Sequence, residues 1–102
     1  MPAVAVCGVD TISTGHPCDG TALIKGSLQT KVTIGGNPVA VVGDAIEVHD
    51  YQVGGFCVPH SVVVNAGSSK VSIATRAVAR IDDSADAGKI ITGSSKVIAG
   101  GK

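Results

Sequence analysis

Aromatic side chains are almost missing from this chain of 102 residues: Phe56 and Tyr51 are the only two, and there is no Trp. Aromatics usually dominate core burial, at roughly 150–250 Å² each. A core built without them in so short a chain is thin. Small scaffolds of this kind need a staple, which means a disulfide, a metal or a partner. Leucine is scarce too (Leu23 and Leu28), and no run of ten residues carries a helical apolar period with caps. Neither charge sign dominates: eight basic and eight acidic residues give a formal net charge of zero. Without a basic patch interleaved with aromatics, nucleic acid is not expected as a partner. Apolar runs such as Val39–Val42 are far short of the roughly 20 residues of a spanning helix, so no stable membrane anchor is expected. The start, Met1-Pro2-Ala3-Val4, lacks the basic and apolar regions of a signal peptide, so any export is expected to use another route.

Cysteine is present in an odd number, Cys7, Cys18 and Cys57, which excludes a complete set of disulfides within one chain. One Cys7–Cys18 bridge is conceivable. In a cytosolic protein, reduced thiols or metal ligation are favoured instead.

What the chain does have is Val, Ile and 14 glycines. β-branched residues suit a pleated surface, and glycines suit tight turns, so the expected fold class is all-β in one domain, 1–102. The chain also repeats itself. Gly26-Ser27-Leu28-Gln29-Thr30-Lys31-Val32-Thr33-Ile34, Gly67-Ser68-Ser69-Lys70-Val71-Ser72-Ile73 and Gly93-Ser94-Ser95-Lys96-Val97-Ile98 open three related units. The first two continue in parallel, with Pro38-Val39-Ala40-Val41-Val42-Gly43-Asp44 matching Ala77-Val78-Ala79-Arg80-Ile81-Asp82-Asp83. Each full unit reads as a β-hairpin: Lys31–Ile34 and Val39–Val42 around Gly35-Gly36-Asn37-Pro38, then Lys70–Ile73 and Ala77–Ile81 around a turn near Ala74–Arg76. The third unit, Lys96–Ile98, is cut short by the C-terminus. Three related hairpins suggest approximate three-fold symmetry.

Chemistry concentrates around Cys57-Val58-Pro59-His60, with His49 eight residues before Cys57 and His16 far upstream in Thr14-Gly15-His16-Pro17-Cys18. A Cys-x-x-His turn brings a thiolate and an imidazole to one metal, and zinc takes four such ligands tetrahedrally. Soft N and S donors favour zinc over magnesium or calcium. A closed shell of three histidines and one cysteine is structural, with no position open to substrate. Cys18 competes with Cys57 as the sulfur donor. A second reading makes Cys57 a nucleophile, with His60 or His49 as base and Asp44 or Asp50 orienting it, but no substrate pocket is evident. Calcium at Asp82-Asp83-Ser84-Ala85-Asp86 is disfavoured, since the loop glycine and terminal Glu are absent, and a solvated turn is the plainer expectation.

Taken together, these elements resemble the PAAR-repeat family, cone-shaped proteins that sharpen the spikes of contractile injection machines. The resemblance rests on Thr14-Gly15-His16, the Gly-Ser hairpins, Pro38-Val39-Ala40-Val41, Cys57-Val58-Pro59-His60 and Ala77-Val78-Ala79-Arg80, and it covers nearly the whole chain. The name-giving Pro-Ala-Ala-Arg motif is degraded in both copies. The resemblance implies a small cone of short β-hairpins with pseudo-three-fold symmetry, pinned by zinc near the apex. The implied ligands are His16, His49, Cys57 and His60. It implies a non-enzymatic cap, one per trimeric β-helical spike, the VgrG protein of type VI secretion or a phage central spike. The cap would sit at a virion tail tip, or in the bacterial cytoplasm before delivery through a target's outer membrane, which it contacts transiently. Ending where the repeats end, the chain reads as a stand-alone tip. A free-standing zinc-stabilised binding module and a small thiol hydrolase are the competing expectations.

Overall fold

Glycine and turn residues interrupt this chain every few positions, and its strands are correspondingly short. The computed structural model describes residues 3–18, 20–94 and 97–98. Ten strands occur among them: β1 (Thr11–Ser13), β2 (Thr21–Leu23), β3 (Thr33–Ile34), β4 (Asn37–Pro38), β5 (His49–Val53), β6 (Phe56–His60), β7 (Ser72–Ile73), β8 (Arg76–Ala77), β9 (Ser84–Ala85) and β10 (Gly88–Ile90). There is no helix among the described residues, so the fold is all-β. Strands β2-β1-β10-β9 form one antiparallel sheet, while β3-β4, β5-β6 and β7-β8 are separate hairpins.

The expected repeat hairpins are present but shorter, and their return strands begin within the expected turns and do not run over Val39–Val42 or Ala77–Ile81. Only Thr33–Ile34 and Ser72–Ile73 pair as strands, with Asn37–Pro38 and Arg76–Ala77 opposite them. The first turn is just Gly35-Gly36, at φ 61° and 87°, and the second is Ala74-Thr75, at φ 52° and 67°. Two consecutive positive φ values define the primed turn that matches strand twist. Glycine meets that demand without cost, whereas Thr75 meets it with a β-branched side chain.

Beyond these hairpins the return segments pair with one another in a closed ring. Val6 bridges Val39, Val41 bridges Val78, and Val4 bridges Arg80. At its centre the Ala5 amide donates to the Ala79 carbonyl, Ala79 to Ala40, and Ala40 back to Ala5, each at 2.9 Å. All three alanines are fully buried. A larger side chain would separate the three backbones, which is why alanine stands at all three places. Each segment then turns on a positive φ, at Gly8, Gly43 and Asp82. Each turn is tied by a carboxylate: Asp10, Asp44 and Asp83 accept from the amides of Val6, Val41 and Arg80 at 2.8, 2.8 and 2.9 Å.

The third return segment is therefore the N-terminal stretch from Ala3, and the third unit is not cut short. Val4 donates to the Val97 carbonyl at 2.9 Å, the relation that Val39 has to Val32 and Val78 to Val71, both at 3.0 Å. Ile98 bridges Ala3. The two ends of the chain thus supply the two halves of one hairpin. Ser95 and Lys96 of that unit lie outside the described residues.

Two apolar clusters fill the interior, and the ring alanines belong to the larger. Val4, Val39 and Val78 form the smaller, with Ile34 and Ile73 against it. The larger is enclosed by a second circuit of strands, in which bridges Val64–Ala85, Ala45–Val63 and Ile24–Ile46 connect β9 round to the end of β2. Inside it Ile12, Ile24, Ile46, Val64, Ala85 and Ile90 are buried, one from each segment of the circuit. Aromatics contribute nothing to it: Phe56 is 77% exposed. The chain is elongated, 41 × 23 × 23 Å.

Candidate metal centre

Three turns or hairpin bases converge above the larger cluster. His16 lies between β1 and β2, directly after Gly15, whose φ is 77° and where a Cβ would meet the Ala87 carbonyl oxygen at 2.7 Å. Only glycine allows that approach. His49 opens β5 and His60 closes β6, and the two are paired directly across the hairpin. Directly opposed residues share a face, so both imidazoles point the same way. Asp86 sits in the β9–β10 turn at φ 55°, a left-handed conformation that Asp tolerates.

The three imidazoles surround one carboxylate. Nε2 of His49 and of His16 lie 2.6 and 2.8 Å from Asp86 Oδ2, and Nε2 of His60 lies 3.1 Å from Oδ1. One donor atom from each of His16, His49, His60 and Asp86 lies within 4.8 Å of all the others. Donors held tetrahedrally at about 2.0–2.2 Å from one ion stand about 3.3–3.6 Å apart, a spacing inside that limit.

Two details suit this group to a cation in chemistry as well as in shape. His49 Nδ1 is 2.8 Å from the Glu47 carbonyl oxygen, which can only accept. With the Nδ1 proton committed there, Nε2 faces the Asp86 carboxylate either with a second proton, as an imidazolium that donates to it, or with a lone pair for a metal. Two electron-rich atoms at that distance need a proton or a metal between their charges. Second, His16 Nε2 is buried and has no hydrogen-bond partner among the described residues, although it lies close to Asp86. An orphaned buried nitrogen is rare and points to a missing ligand. Burial pushes the Asp86 carboxyl up, but hydrogen bonds from His60 and His49 and the charge of His16 and His60 outweigh it and hold the group below its usual range. The carboxylate is thus ionised and ready to bind. The four residues fit a divalent cation.

Tyr51 closes one side. It shares the face of His49 and His60, and its ring centre lies 4.6 Å from that of His60 and 5.9 Å from that of His16.

Of the four expected ligands, the structure gathers His16, His49 and His60 and leaves Cys57 out. Cys57 is bonded to Cys18 in a disulfide. The reason is local: Cys-x-x-His lies in strand β6, not in a turn. Side chains alternate along a strand, so residues three apart face opposite ways. Val58 and His60 are half-buried on the inner face, and Cys57 and Pro59 are exposed on the other. The contest between Cys18 and Cys57 for the metal therefore ends with the two bonded together; the Cys7–Cys18 bridge does not occur, and of the three cysteines Cys7 alone stays a reduced thiol. By restricting the unfolded chain over a separation of 39 residues, this cross-link contributes about 4 kcal/mol in the loop-entropy model.

Asp86 was not among the expected ligands; its acidic stretch read as a solvated turn. No sequence signal marks it, because its partners come from segments 26, 37 and 70 residues away (86 − 60, 86 − 49, 86 − 16). The other thiol, Cys7, is buried, and it donates to Asp44 Oδ2 at 3.4 Å. Burial, with the Asp44 charge beside it, pushes this thiol up to about 12. Asp44, one proposed orienter for a nucleophilic Cys57, is instead fully buried and accepts from the Val41 and Leu28 amides. No protein-family model matches this chain, and no curated protein matches it either.

Proposed function

We infer that this protein is a metal-pinned structural cap for the end of a trimeric β-helical spike, of the PAAR-repeat kind. The observation that carries the reading is the closed ring of Ala5, Ala79 and Ala40, each in the same hydrogen-bonded relation to the next. A partner with three identical chains offers three equal edges, and a single chain can meet them only with three similar edges of its own. Further support comes from the apolar groove of about 350 Å³ beside the smaller cluster. Equivalent valines of the three units line it, Val32, Val71 and Val97, at 44, 41 and 39% exposure. Edges and apolar surface left open in this way invite pairing, and docking would cover them.

The cation is zinc in this reading. Three imidazoles and one carboxylate make a closed tetrahedral set, which zinc accepts without geometric strain. Its work is mechanical: it ties the three converging turns where few side chains exist to pack, so the point resists unfolding as it meets a membrane. The chain's own residues supply the rest. His49 is fixed by Glu47, His16 is delivered by the Gly15 approach to Ala87, and Asp86 offsets half of the charge of the dication.

The test is stoichiometry. Purified chain mixed with a trimeric β-helical spike protein should give one cap and one zinc per trimer, and Val71→Asp, an exposed position, should abolish binding with the fold intact. Three caps per trimer would contradict the reading.

A further inference from the structure

The β5–β6 hairpin is the longest in the molecule and pairs with no other strand among the described residues. A lone two-stranded hairpin is marginal in water. Its base is held by the Ile46 amide donating to Val62 and by the bridge of Ile46 to Ile24. Farther out, it is tied to the turn between β1 and β2 twice. His16 meets His49 and His60 on the inner face, and Cys18, two residues on, is bonded to Cys57 on the outer face. The turn therefore straddles the hairpin, with an imidazole on one side and a sulfur on the other. Within the turn the Thr14 amide donates to Gly20 and the His16 amide to Thr14 Oγ1.

We propose that the Cys18–Cys57 disulfide is a redox latch on the metal centre, keeping His16 in the coordination shell when closed and releasing it when reduced. Such a latch presupposes that the histidine cluster holds a metal. Cys57 is exposed and Cys18 half-buried, so a dithiol reductant reaches Cys57 first. Its thiolate attacks the Cys57 sulfur, forming a mixed disulfide and breaking the Cys18–Cys57 bond, and Cys18 leaves as a thiolate that takes up a proton. The reductant's second thiolate then closes its own disulfide and frees Cys57, which is protonated in turn. Two electrons and two protons pass to the protein, and the reductant is oxidised. With the outer tie gone, no covalent bond holds the His16 turn against the hairpin, and the Gly15 approach to Ala87, the ring contacts with His49 and His60 and the metal remain. Retention of the metal then falls, since the fourth donor is less firmly pre-positioned. In an oxidising environment the latch closes and the metal is locked in. The freed thiols do not replace His16, because Cys57 faces away from the cluster.

The experiment measures zinc affinity of the full chain by competition with a chromophoric chelator, in the oxidised form, after reduction by a phosphine, and in the Cys18→Ser/Cys57→Ser variant. Spectra of the cobalt-substituted forms run in parallel. The expected result is an affinity at least tenfold weaker in the reduced protein and the variant, a change typical of lost ligand positioning, without a sulfur-to-cobalt charge-transfer band. A change of less than tenfold overturns the latch, and so does tighter binding with that band, which would place a thiolate in the shell. Zinc binding by none of the forms overturns the metal reading itself, and the latch with it. Should the double variant not fold, the oxidised and reduced native forms decide alone.

Discussion

Replacing Asp86 with Asn tests the centre most directly. The substitution keeps the shape of the side chain but removes the charge that faces three imidazoles at 2.6, 2.8 and 3.1 Å. In the native protein, metal at a hundredfold excess over its Kd stabilises the fold by about 2.7 kcal/mol, through binding the folded state alone. For a domain of about 100 residues, each kcal/mol moves Tm by about 4–8 °C. Saturation with zinc should therefore raise Tm by about 10–20 °C, and a chelator should reverse it. Asp86→Asn loses one donor's charge and the anion that balances the cation, so at the same zinc concentration its shift should be less than half as large. His60→Ala, which removes a donor from the same shell, should behave alike. Differential scanning calorimetry with and without chelator reads both. A native Tm that ignores zinc and chelator, or an Asp86→Asn variant that responds as strongly as the native chain, would refute the assignment.

Three further outcomes follow from the ring and its turns. Arg80 is buried and pairs with Asp83 through Nε and Nη2, both at 3.0 Å, at a place where the other two segments carry Val6 and Val41. Since Asp10 and Asp44 tie their turns without an arginine, Arg80→Val should cost under about 1 kcal/mol, whereas Asp83→Ala, which removes the carboxylate from a buried guanidinium, should cost about 3–5 kcal/mol; urea denaturation distinguishes them. Thr75 sits at φ 67° where the first hairpin has glycine, so Thr75→Gly should stabilise by about 0.5–1 kcal/mol, measured the same way. The buried Cys7 thiol, pushed from 9.0 up to about 12, is neutral in the folded state where the unfolded thiol ionises. Its contribution is complete below pH 9 and is lost as pH rises toward 12; Cys7→Ala should flatten that part of the stability–pH profile.

Much of the architecture was legible in the residues. Val, Ile and glycine composition gave strands and turns, and the two copies around Lys31 and Lys70 gave two hairpins, with return strands at Asn37–Pro38 and Arg76–Ala77 that begin within the expected turns. The need for a staple followed from a chain with two aromatics, neither of which the core uses. His16, His49 and His60 stood out because they were the only histidines in a chain short of chemistry.

The sulfur ligand was misread because Cys-x-x-His has two geometries. In a turn the two side chains converge; in β6 the two-residue period of a strand separates them, and pairing with Gln52 and His49 across the hairpin fixes that strand. Sequence by itself determined what repeats and what is scarce, since both are local properties of the chain. Only tertiary structure decided what meets: Asp86 with three histidines, Cys18 with Cys57, and Val97–Ile98 with the N-terminal segment. These contacts join segments from distant parts of the chain, and closure of the two strand circuits, not any spacing along it, brings them together.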